Sequence, residues 1–167
     1  MPILPKVRDP RLITVRRGGS LTDADHHLLG EWAIRCTEHV LHLFEAEAPD
    51  DPRPRAVLDV ARAWIRGEVP MKTAHNAAFD ANSAAKGLPD PARFAALSAG
   101  QAVAVAHVAA HDLGAAAYAI RAAMAASPDA RLRERDWQRS ILPAPVRELV
   151  LDDQRARSPI CWNVFDD

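Results

Sequence analysis

Four of the seven histidines, His39, His75 and the i,i+4 pair His107 and His111, fall where apolar periodicity places the inner faces of helices. Imidazole titrates near neutral pH and ligates metals through either ring nitrogen. Inside a helical bundle such rings have two chemical uses. They can move protons at a bound molecule, or hold a transition metal, with His107, His111, His39 and His75 as candidate ligands. On one continuous helix His107 and His111 would stand one turn apart and converge on one ion, as in half of a helical zinc site. The glutamate that a zincin places after its first histidine is replaced by Val108, and the chain holds no Glu-x-x-His pair of the di-iron type. The pattern suits buried histidines donating to carbonyls or carboxylates at least as well.

Two other side chains join these as catalytic candidates. Cys36 and His39, three apart, could meet on one helix as thiol and base, although Cys36 shares an apolar stripe with Trp32 and Val40, where cysteine serves as a small hydrophobe. Tyr118 lies on the small-residue stripe of Gly100, Ala104, His107, His111 and Gly114, which reads either as a pocket floor or as a tight helix contact. The set is therefore His39, Cys36, His107, His111 and Tyr118. Glu38, His42 and Glu45 share a face expected to be exposed. Gly18-Gly19 lacks the rest of a phosphate loop, and neither a GxSxG elbow nor a kinase signature occurs.

The elements that would position these residues are helical. Thr22, followed by Asp23 and Asp25, forms a helix start. Leu29, Trp32, Cys36, Val40 and Leu43 then recur at spacings of three and four until Pro49. A second helix opens at Pro54 and ends near Gly67. A third runs from Met71 to Lys86 and closes at Gly87. One long alanine-rich helix is expected from Asp90 to Ala126, then a fifth from Asp129 to Ile141 and a sixth from Ala144 to Arg157. Arg11 to Arg17 alternates weakly and reads as a short strand or extended segment. The expectation is a single all-α domain over residues 1–167: a bundle of about six helices, a basic extended arm over 1–20 and an apolar tail over 158–167. Left free, that tail would expose Ile160, Trp162 and Phe165, so it should dock, either on its own bundle or on a second copy as a homodimer.

Composition narrows the partners. Among 167 residues the formal net charge is -1, without the basic excess of nucleic-acid binders. The four tryptophans lack interleaved basic residues and read as core anchors. Charge is uneven only at the start, where Lys6, Arg8, Arg11, Arg16 and Arg17 face Asp9 alone; such an arm could hold an anion, but reads first as solvated charge on a loose terminus. Cys36 and Cys161 have no CxxC partner, so neither a disulfide framework nor a zinc knuckle is expected. No signal peptide or membrane span is apparent. A cytoplasmic protein is expected, with no nucleic acid, no membrane and no assured cofactor.

Several separated blocks carry a family resemblance: RDPRLITVRRGGSLTDADHHLLGEWAIRCTEHVLHLFE, DPRPRAVLDVARAWIRGEV, AVAVAHVAAHDLGAAAYA and ERDWQRSILPAPVRELVLDDQ. Over about Arg8 to Gln154 the chain resembles the bacterial immunity proteins that accompany polymorphic toxins. The resemblance implies a compact α-helical domain whose partner is a cognate protein toxin, neutralised by stoichiometric binding. It carries over no catalytic residue. The residues themselves keep a second reading open, a small helical enzyme or metabolite binder with a pocket bounded by His39, His107, His111 and Tyr118.

Overall fold

Thr22 begins the first long helix by the mechanism its residue type suggests, its hydroxyl accepting from the Asp25 backbone N–H at 3.1 Å. In the computed structural model, which describes residues 3–167, this helix, α1, spans Asp23–Glu47. Six more follow: α2 (Arg53–Ile65), α3 (Met71–Ala84), α4 (Asp90–Ala104), α5 (His111–Ala126), α6 (Arg131–Ser140) and α7 (Arg147–Arg157). The fold is all-α, and the helices form one domain. Gly67 and Gly87 adopt positive φ where α2 and α3 give way to loops.

α4 lies at the centre, packed on α1, α2, α3 and α5, and α1 packs on α2, α4 and α5. The apolar stripe of α1 buries Leu29, Trp32, Cys36, Val40 and Phe44. The face carrying Glu38 and Glu45 was expected to be exposed, yet it meets α2: Arg62 bonds Glu38 and Glu31, and Arg55 bonds Glu45. Gly30 lets α2 approach, since a Cβ there would stand 3.3 Å from the Trp64 ring. Three helices are linked by hydroxyls, with Thr37 bonded to Ser98 at 2.7 Å and Ser98 donating to the Ala115 carbonyl at 2.8 Å. Trp32 Nε1 donates to the Gln138 carbonyl, and Gln138 in turn donates to that of Ala116.

The single helix expected over 90–126 is two. Its chain folds back between Ala104 and His111, and α4 and α5 pack closely against each other. A straight helix of that length would reach about 55 Å, too far to bury the alanines that cover nearly all sides of both halves. Gly100 and Gly114 mark close approach and no break. A Cβ on Gly100 would collide with Asn82, and one on Gly114 with Gln101.

Neither terminal segment is loose. Arg11 to Arg17 forms no strand; it makes 3-10 turns at Pro10–Leu12 and Val15–Arg17, capped by Asp9 and ended by left-handed Gly18, with a lone bridge between Thr14 and Leu21. Proline and the Asp9 cap favour turns over extension. Leu12 and Leu21 are buried. The tail docks on its own bundle. Trp162 and Asn163 have positive φ and turn the chain so that Cys161, Val164 and Phe165 enter the core. Arg131, Arg135 and Arg139, at successive turns of α6, donate to the carbonyls of residues 164–166. Trp162 also covers Arg121, whose guanidinium lies 4.1 Å from its ring centroid and 4.0 Å from that of Phe94.

Because Leu29 is fully buried on α1, Leu29→Ala is expected to cost about 2–5 kcal/mol. Urea denaturation followed by helical circular dichroism measures it, and a change below that range would mean that the site collapses around the smaller side chain.

Candidate functional site

The turn from Val105 to Ala110 is buried, apart from a half-exposed His107, and its carbonyls cannot all be satisfied by the helices it joins. Donors arrive from three other elements. His26 on α1 gives its Nε2 proton to the Val105 carbonyl at 2.6 Å. Arg17 on the arm donates to the His107 carbonyl at 3.2 Å. Arg157 on α7 donates to the Ala110 carbonyl at 2.9 Å. Burial lowers the pKa of His26, so a neutral ring with its proton on Nε2 fits this contact.

The break distributes the four histidines over separate places, and none is fully buried: His39, expected to face inward, is exposed. His107 sits in the turn and His111 is the first residue of α5, so they share no helix face. His107 lies against His75, ring centroids 4.3 Å apart. His111 Nδ1 faces Gln101 Oε1 at 2.7 Å, a contact that the absent side chain of Gly114 permits. His39 is elsewhere: it stacks on Trp137 at 3.5 Å and bonds both oxygens of Glu134 at 2.9 Å. Cys36 is wholly buried, and burial pushes its thiol well up, so it is a packing residue with no bond to His39. Tyr118 packs on Trp162 at 5.1 Å, near Arg121. Among the described residues no three His, Cys, Asp or Glu side chains are placed to share a metal ion. The expected pocket of His39, His107, His111 and Tyr118 is therefore not assembled. Only His75 and His107 come together.

What does form around His107 is a cleft of about 290 Å³ between the arm and the bundle. Arg8, Arg16 and Arg17 line it from the arm, Trp64 and Met71 from α2 and α3. Sequence reasoning offered the arm as an anion holder only behind the solvated reading and placed no cleft beside it; the excess of arginine over acid was the available signal.

Behind the turn lies a buried charge cluster. Arg157 bonds Asp153 through two nitrogens and the Ile3 carbonyl at 3.1 Å, with Asp112 at 3.6 Å. One cation between two carboxylates leaves a negative excess, and Asp112 Oδ2 has no partner. Burial first, and Asp153 second, push the Asp112 pKa up to about 7, although Arg157 opposes them. Its neighbour moves the other way, since burial and then Arg8 bring His111 down to about 4.

Arg157→Leu should cost about 3–5 kcal/mol, because two buried carboxylates lose their cation; equal midpoints in urea would refute that role. Asp112→Asn and His111→Gln should respond to pH with opposite sign. A raised acid pKa stabilises the fold below its ordinary value of 3.8, an effect lost as pH rises through about 7. A lowered histidine pKa stabilises it above 6.5, an effect lost as pH falls through about 4. Relative to the native protein, Asp112→Asn should therefore lose stability, and His111→Gln gain it, as pH falls from about 7 to about 4.5. Denaturation midpoints over that range give both slopes, and parallel slopes would contradict the assignment.

The comparisons bear on the whole arrangement. A family model described as Imm-5 like putative immunity protein matches residues 19–145. No curated protein and no solved structure matches the chain. The matched span takes in α1 to α6 and with them His39, His75, His107 and His111; the arm before Gly19, α7 and the tail lie outside it. With three quarters of its length inside that match, the chain belongs to the Imm-5 like putative immunity protein family.

Proposed function

We propose that the protein is a bacterial cytoplasmic immunity protein that neutralises a cognate toxin by stoichiometric binding. Family membership supports a protein partner. No helix among the described residues is long and apolar enough to cross a membrane. The observation that carries the reading to a particular surface is Phe79. Among the described residues it is the one aromatic of the large hydrophobics that stand clearly exposed, at 62%. Its ring meets His75 edge-on at 6.0 Å, and His75 meets His107, so an aromatic ridge runs from the outer face of α3 to the turn. Exposed aromatics on a rigid helix lose little entropy on association and serve as anchors in protein interfaces. On this reading His39 and His111 support the fold, through Glu134 and Gln101.

The test is co-expression with the product of the adjacent toxin gene, followed by native mass spectrometry and measurement of Kd. A one-to-one complex that restores growth is expected. Phe79→Ala should weaken it by about 2 kcal/mol or more, roughly thirtyfold, while Tm stays within a few degrees. Rescue without a complex would sink stoichiometric binding, and an unchanged Kd in Phe79→Ala would move the interface off α3.

A further inference from the structure

The cleft beside His107 is lined by three guanidinium groups and no carboxylate. Arg8, exposed on the arm, makes no hydrogen bond or ion pair among the described residues. Arg16 and Arg17 each spend one nitrogen, on Asp23 and on the His107 carbonyl, and keep further N–H groups. Asp23 offsets Arg16 alone; the like charges of Arg8 and Arg17 repel one another and meet no carboxylate in the cavity. The fold does not need all three there, because only Arg17 bonds the turn. His107 Nδ1 is buried at the same place without a partner. Burial, then His75, Arg17 and Arg8, lower the pKa of His107, which leaves a neutral ring able to donate or accept one hydrogen bond. The remaining wall carries the apolar side chains of Leu12, Trp64 and Met71 beside Thr14 and His26.

We propose that this cleft binds a small anionic molecule whose phosphate or carboxylate group is held by Arg8, Arg16 and Arg17 and whose apolar body rests on Trp64 and Met71. Guanidinium forks match both head groups, and their hydrogen bonds to an anion are about twice as strong as neutral ones. The volume, about 290 Å³, stands at the small end of ligand sites. His107, at the inner end of the ridge, lines the cleft as well, but Phe79 does not, and the site does not depend on the toxin-binding reading.

Isothermal titration of the full chain with phenyl phosphate, benzoate, inorganic phosphate and phenol tests it without any toxin present. Saturable one-to-one binding of phenyl phosphate, of benzoate or of both is expected, and which of them binds identifies the head group. Inorganic phosphate should bind more weakly and phenol not at all. Arg8→Ala should weaken binding about tenfold or more while leaving the Tm of the free protein unchanged, since Arg8 holds no part of the fold. Failure of both aromatic anions to saturate, phenol binding equally well, or undiminished binding by Arg8→Ala would each overturn the proposal.

Discussion

A buried reversal of the backbone between two alanine helices is the constraint around which the other elements are arranged. The last carbonyls of α4 are taken up by backbone N–H groups of the turn itself, but the carbonyls of Val105, His107 and Ala110 within the turn meet side-chain donors from distant elements. Those donors are His26, Arg17 and Arg157, from the first helix, the arm and the last helix. An uncompensated buried carbonyl costs about 1–3 kcal/mol, a large share of the stability of a domain. The arm and α7 therefore belong to the fold of the hairpin.

The same requirement concentrates charge in the interior. Arg157 reaches the turn only by being buried, and a buried guanidinium needs a carboxylate, which Asp153 supplies. Asp112, one residue into α5, is one carboxylate more than the cation balances. Across mildly acidic pH the folded chain keeps a proton on Asp112 and none on His111, whereas the unfolded chain holds the reverse. Folding thus moves a proton between adjacent residues with little net uptake.

Much of this architecture was legible in the residues, and the parts that were not share a cause. Thr22, Gly67 and Gly87 mark helix limits by local chemistry, and the stripe from Leu29 to Val40 is buried as its period indicates. The reversal at Val105–Ala110 has no local mark: Ala, Val and His all continue a helix. Gly100 and Gly114, the apparent weak points, lie inside helices and admit Asn82 and Gln101. Length alone hinted at the break, since an uncapped helical pattern of that extent is unusual for a globular domain. Once the helix divides, His107 and His111 part, and the expected histidine pocket goes with them. The arginine cleft was equally hidden, because it exists only when the arm folds against α1 and the turn.

Arg157 also reaches the Ile3 carbonyl, and Arg11 reaches Asp152, so the arm and α7 are tied to each other as well as to the hairpin. Together they form a clasp behind the innermost turn. Peripheral segments usually open locally because their contacts are few; here detaching the arm or α7 uncaps that turn. Opening of either element should thus draw on the global unfolding free energy. A force that pulls the arm from α7 would meet its resistance at the first step, and once that step gave way the hairpin would follow.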